Sequence, residues 1–220
     1  MIDAVIFDLD GVLIDSEGVW EGARRSFVLE HGGTYTEHAT RDVMGMSAPE
    51  WSRYIRVELG VALPEERINA EVLARVRAAY EAGLPLFPGA VEAVRRLVGG
   101  FALAVASSSN RSLIDLVVAR AALGDAFSAT VSSEEVGRGK PAPDVYLRAA
   151  TLLGVSPQRC AAVEDSSNGI RSAKNAAMRV IAVPNAAFPP APDALVLADV
   201  VLATIGDLTA RTVADLCPRR

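Results

Sequence analysis

The apolar run 4–7, Ala4-Val5-Ile6-Phe7, stops at two acids one residue apart, Asp8 and Asp10, and then at Gly11. The run is apolar throughout, as in a strand buried on both faces; a strand with one wet face would alternate. Similar runs recur at 101–106, 160–163, 180–183 and 200–202. Helical spacings separate them. Val91, Val94 and Val98 make one face, Leu113, Val117 and Ala121 a second, and Tyr146, Ala149 and Leu153 a third. Strands alternating with helices predict an α/β fold with a parallel sheet covered on both sides.

Residues 16–83 break this pattern, because no buried strand is legible there. Val19, Trp20, Ala23 and Phe27 share one helical face. Ser47-Ala48-Pro49-Glu50 has the spacing of a capping box, with Gly60 as a later stop. Pro64-Glu65-Glu66 opens a further helix, in which Ile68, Val72, Val76 and Tyr80 follow at i+4 intervals. The segment 16–83 is therefore expected to be a small α-helical domain inserted after the first strand. Residues 1–15 and 84–220 form the sheet-bearing domain, and 83–89, rich in Gly and Pro, is the returning linker.

Half of the 220 residues are hydrophobic and 22% are charged, so the chain can bury real cores and disorder is excluded. With 22 basic and 27 acidic residues the net charge is −5, which leaves no basic footprint for nucleic acid or an anionic membrane. No apolar stretch reaches the ~20 residues of a membrane span. The N-terminal residues lack a signal-peptide pattern, so a cytoplasmic protein is expected, and nothing demands more than a monomer. Cys160 lies in an apolar run and reads as a small core residue, and with Cys217 it makes no disulfide framework. His31 and His38 lack zinc-ligand spacing; His31 fits the C-terminal end of a helix.

Four polar clusters stand where strands end or helices begin, the places at which open parallel sheets bind ligands. Asp8-Leu9-Asp10-Gly11 follows the first strand. Ser107-Ser108-Ser109-Asn110 joins a strand to a helix, where hydroxyls and unpaired N–H groups can hold an anion. Ser109 or Asn110 would equally serve as a plain helix cap. Lys140 precedes the Pro-opened helix of Gly139-Lys140-Pro141-Ala142-Pro143-Asp144 and offers a point charge for phosphate. Glu164 and Asp165 end another buried strand, and adjacent acids there suit a hard cation such as Mg²⁺. Each cluster taken alone also reads as a solvated turn, a cap or a surface charge.

Taken together and in this order, FDLDGVLIDS, Ser107, Lys140 in GKPAPD and EDSSNGI resemble the four motifs of the haloacid dehalogenase-like superfamily. The resemblance spans essentially the whole chain. It implies a Rossmann-like core with a helical cap of the kind found in phosphoglycolate phosphatase and β-phosphoglucomutase relatives. It implies Asp8 as nucleophile, forming an aspartyl-phosphate, and Asp10 as the acid, then base, for leaving group and water. Ser107, Ser108 and Lys140 would hold the phosphoryl group. Mg²⁺ would be held by Asp8, the Asp10 carbonyl, Asp165 and Glu164. The acid at Asp10 speaks against the dehalogenase branch, whose leaving halide needs no proton.

The same core serves phosphatases and phosphomutases. β-Phosphoglucomutases carry a cap His and a KGxSR-like turn, where this chain has Trp20, Met44 and Ala48. With those cations absent a second phosphate site is not evident, so a phosphatase acting on a small monoester is expected. A phosphomutase and a non-catalytic phosphometabolite-binding protein are the alternatives. The sequence most resembles the hexitol and 2-deoxyglucose 6-phosphatase branch. Glu17, Trp20 and Gly45 would then contact a sugar, although Trp20 equally suits helix packing and Glu17 a first-turn charge.

Overall fold

The computed structural model describes residues 1–43 and 46–216; Met44, Gly45 and Cys217, which figured in the sequence reading, lie outside them. In chain order the elements are β1 (Ala4–Phe7), α1 (Glu17–Glu30), α2 (Ala39–Val43), α3 (Ala48–Val57), α4 (Glu65–Ala82), α5 (Ala90–Leu97), β2 (Ala102–Ser107), α6 (Arg111–Arg120), β3 (Ala129–Ser132), α7 (Asp144–Leu153), β4 (Cys160–Glu164), α8 (Ser167–Asn175), β5 (Arg179–Ala182), α9 (Pro192–Leu195), β6 (Val200–Val201) and α10 (Ala210–Ala214). The described residues group into two compact units, Met1–Asp15 with Leu86–Arg220, and Ser16–Pro85.

The first unit is an α/β domain on a six-stranded parallel sheet of order β3-β2-β1-β4-β5-β6. This Rossmann-like order reverses between β1 and β4, and the crevice beyond that switch point is where such sheets bind ligands. Mostly small side chains line one face: Ala4, Ala104 and Ala106, Cys160 and Ala162, Val180 and Ala182, with the larger Ile6 among them, all buried with residues of α7 and α8 such as Tyr146, Ala149, Ile170 and Ala173. Cys160 is one of these small residues, and burial pushes its thiol up to about 11. Register aligns the strand ends. Phe7 pairs with Val105 and Val163, and Ser107 pairs with Ser132. The residues that follow β1 thus emerge level with the ends of β2 and β4.

The second unit is helical. Ile68, Val72, Val76 and Tyr80 are buried along α4, as their spacing predicts. Trp20, Ala23 and Phe27 are buried on α1. Glu50 accepts hydrogen bonds from the Ser47 N–H at 2.7 Å and the Ser47 hydroxyl at 2.6 Å, tying down the start of α3. His31 caps α1, its Nδ1 lying 2.9 Å from the Phe27 carbonyl.

Three expectations are corrected. The short edge strand β3 was not expected, because Ala129-Thr130-Val131-Ser132 is neither apolar throughout nor longer than four residues; its backbone pairing to β2 makes it a strand. The buried face of α5 is Ala90, Ala93, Val94 and Leu97, and Val98 lies past the helix end, exposed. β2 and β4 each run one residue beyond their apolar runs, to Ser107 and Glu164. Pairing with β3 carries the first, and the Val183 N–H donating to the Glu164 carbonyl at 2.7 Å carries the second. Ile68→Ala, at a fully buried site, is expected to cost about 2–5 kcal/mol in urea unfolding through lost transfer energy and the cavity left behind.

Candidate active site

Asp8 follows β1 directly, its N–H donating to the Val163 carbonyl at 2.9 Å, so its carboxyl lies at the switch point beside the end of β4. Lys140, from the loop before α7, brings its ammonium to 2.9 Å from Asp8 Oδ1 and 2.6 Å from Glu164 Oε1. All three side chains are buried. A bridging ammonium at these distances is a charge-assisted contact in a low dielectric, where breaking it costs about 3–5 kcal/mol. Burial pulls the Lys140 ammonium down, but Asp8 and Glu164 outweigh it and hold its pKa above the ordinary lysine range. Asp8 is pushed up to about 7, first by burial and then by the nearby charges of Glu164 and Asp10, against the opposing pull of Lys140.

Asp165 completes a buried acidic group in which one oxygen each of Asp8, Glu164 and Asp165 lie within 4.8 Å of one another. Gly11 lets the chain pass close to it: a Cβ there would fall 2.0 Å from Asp165 Oδ2, and its φ of +78° also favours glycine. Three carboxyl groups gathered at one point supply the oxygen ligands that a hard divalent cation takes. The acidic group therefore fits a metal ion with oxygen ligands.

Glu164 is held through both of its carboxylate oxygens. Its Oε1 accepts from Lys140 and from the Tyr146 hydroxyl at 2.7 Å; its Oε2 accepts from the Asp165 and Ser166 N–H groups and the Ser166 hydroxyl at 3.1–3.3 Å. Gly169, in the first turn of α8, approaches so closely that a Cβ would lie 1.8 Å from Glu164 Oε1.

Asp10 meets the end of β2. The Ser109 hydroxyl donates to Asp10 Oδ2 at 2.6 Å, and the Ser107 hydroxyl reaches the same oxygen more weakly, at 3.4 Å. The Ser109 N–H donates to Ser107 Oγ at 3.0 Å. Ser108 is only partly buried.

This geometry has counterparts in known proteins. Residues 2–177 match the haloacid dehalogenase-like hydrolase family. Hexitol phosphatase B of Escherichia coli strain K12 is 35% identical over 94% of this chain and 95% of its own. Among solved structures, CbbY from Rhodobacter sphaeroides in complex with phosphate superposes with a TM-score of 0.85 at 27% identity, over 98% of this chain and all of that one. β-Phosphoglucomutase from Clostridium difficile shares the fold, with a TM-score of 0.84 at 23% identity over 98% and 97% of the two chains. The chain belongs to the haloacid dehalogenase-like hydrolases. It is an enzyme of that family, a phosphoric monoester hydrolase.

In this hydrolase the start of α6 is not an open anion pocket. Glu134, just past β3, accepts from the Arg111 N–H at 2.9 Å and from the Asn110 side-chain amide. The helix end is thus satisfied by the chain's own carboxylate, and neither Ser109 nor Asn110 caps it with a side chain, contrary to the capping alternative. Of the residues expected to face a sugar, Gly45 lies outside the described residues, while Glu17 and Trp20 belong to the helical unit. The Trp20 ring meets Trp51 edge-on at 6.0 Å, and the Arg24 guanidinium lies 4.7 Å from its centroid.

Sequence reasoning missed Glu134 and Tyr146 as parts of the site, and offered Ser109 as an anion-holding hydroxyl or a cap without its contact to Asp10. Tyr146 read as one apolar residue of a helical face, and only the hydroxyl it carries hinted at a buried acceptor. Its removal is a direct check. Tyr146→Phe leaves Glu164 one donor short, and is expected to lower stability by about 1 kcal/mol in thermal unfolding and to slow phosphate release several-fold.

Proposed function

We propose that this enzyme hydrolyses a small phosphate monoester of the sugar or sugar-alcohol class, with Asp8 as nucleophile, Asp10 as acid and base, and Mg²⁺ as cofactor. The observation that carries the reading is the buried contact of the Lys140 ammonium, 2.9 Å from the Asp8 carboxylate, at the sheet's switch point. It sets the nucleophile's carboxyl beside a cation that favours its ionised form and is suited to the oxygens of a transferring phosphoryl group.

In the first step a carboxylate oxygen of Asp8 bonds to phosphorus and the ester P–O bond breaks, while Asp10 gives a proton to the departing alcohol oxygen. In the second step Asp10 takes a proton from water as that water attacks phosphorus, and the P–O bond to Asp8 breaks, releasing inorganic phosphate. Ser107, Ser108 and Lys140 orient the phosphoryl oxygens. The Asp8 and Asp165 carboxylates and the Asp10 carbonyl would hold Mg²⁺, which when bound neutralises charge between Asp8 and the phosphoryl group. Glu164, with both oxygens already accepting hydrogen bonds, serves by fixing Lys140 and stands as a further ligand only by releasing a donor.

One observation favours hydrolysis over phosphate exchange between two positions of one sugar. Position 48 offers no cation, being a buried Ala at the start of α3. The sugar class rests on the likeness to hexitol phosphatase B. Trp20, packed between Arg24 and Trp51, is given a structural task, and Glu17 stays the candidate for sugar hydroxyls.

A panel of hexose, hexitol and small-acid phosphates with Mg²⁺, scored by phosphate release, tests the reading. Hexose or hexitol 6-phosphates should rank highest. Interconversion of β-glucose 1-phosphate and glucose 6-phosphate with a bisphosphate primer, and little free phosphate, would establish a mutase instead; binding without turnover would establish a binder. Asp8→Asn is expected to reduce turnover to background while the circular dichroism spectrum is unchanged. Chelation is expected to stop turnover and added Mg²⁺ to restore it; activity indifferent to EDTA would exclude the metal assignment.

A further inference from the structure

Asp10 is held from one side only. Its Oδ2 accepts the 2.6 Å hydrogen bond from Ser109 and the weaker one from Ser107, while its Oδ1 is buried and makes no hydrogen bond among the described residues. Ser109 is itself fastened. It is 8% exposed, its N–H is tied to Ser107 Oγ, and its carbonyl accepts from the Ser132 hydroxyl at 2.7 Å. The residues on either side are held from the same strand end. Ser133 donates to the Ser107 carbonyl at 3.3 Å, and Glu134 binds the Asn110 amide and the Arg111 N–H. The Ser109 hydroxyl therefore has little freedom to leave Asp10.

A carboxylic acid has two oxygens and one proton, and proton transfer works only when the proton sits on the oxygen facing the reacting atom. A hydroxyl donating into Oδ2 occupies that oxygen as acceptor and disfavours a proton there. The proton is then left to Oδ1, the oxygen without a partner. From this geometry we infer that Ser109 is a positioning residue for Asp10: it fixes the carboxyl's orientation and directs the transferable proton to Oδ1. The inference rests on the assignment of Asp10 as proton donor and adds the residue that aims it.

The test compares kcat/KM on two esters, because that ratio reports the steps through transfer of the phosphoryl group to Asp8. One is the alkyl phosphate with the highest rate in the panel, whose alkoxide must be protonated as it leaves. The other is p-nitrophenyl phosphate, whose leaving group is stable as an anion. Ser109→Ala is expected to lower kcat/KM about 10- to 100-fold on the alkyl ester, a part of the 10²–10⁴ that a general acid supplies. On p-nitrophenyl phosphate it should lose less than about threefold, which also shows that the variant is folded. Ser109→Cys, of similar size with a weaker donor, covers the case in which the alanine variant fails to fold, and the same split is expected of it. Equal losses on both esters, or no loss on the alkyl ester, would overturn the inference. Asp10→Ala runs beside them. If it shows no split, the assignment of Asp10 fails; if it splits and Ser109→Ala does not, the positioning role alone fails.

Discussion

The Lys140 ammonium, buried between Asp8 and Glu164, is the contact around which the rest of the site is arranged. Two carboxylates at the ends of neighbouring strands would repel in a low-dielectric crevice, and a cation between them turns that repulsion into cohesion. The arrangement demands much of the surrounding chain. β1 and β4 must pair in a register that brings Asp8 beside Glu164, and the loop before α7 must deliver Lys140 from the flanking layer. The small side chains on the sheet face under α7 let that helix come close enough for Tyr146 to reach Glu164. Asp165 adds a third carboxyl to this pair, and the three together form the oxygen-lined group that fits a divalent ion.

Much of this was legible in the sequence because it rests on local pattern. Apolar runs at 4–7, 160–163 and 180–183 gave up their strands through composition alone, and α4 through the strict i+4 spacing of Ile68, Val72, Val76 and Tyr80. The acids after β1 and β4 were legible for the same reason: a charge at the end of a buried run has few places to go. β3 was not, since a four-residue edge strand owes its state to backbone pairing with β2 and not to its own side chains. The face of α5 was misread by one position because three valines outweighed two alanines that in fact face inward.

The polar residues that sequence reasoning left out share a property: each is defined by a partner far away in the chain. Ser109 looked like a helix cap and instead contacts Asp10, a residue 99 positions distant. Glu134 carried no signal of its own in the sequence and closes the start of α6 across 23 positions. Local rules value a serine or glutamate by its neighbours in sequence, and only the parallel sheet, which stacks the ends of β1, β2 and β3 side by side, shows what these two touch.

Gly169 carries a consequence of another kind. Because the Glu164 carboxylate lies where a side chain at 169 would begin, any replacement there must displace the acid on which Lys140 depends. No single change at 169 is neutral, and a change at 164 to a shorter residue would open the space only by discarding the anchor. The two positions are therefore coupled through space: bulk added at the first turn of α8 reaches the nucleophile's cation by way of one carboxylate, so the packing of a helix and the charge state of the pocket answer to the same few atoms.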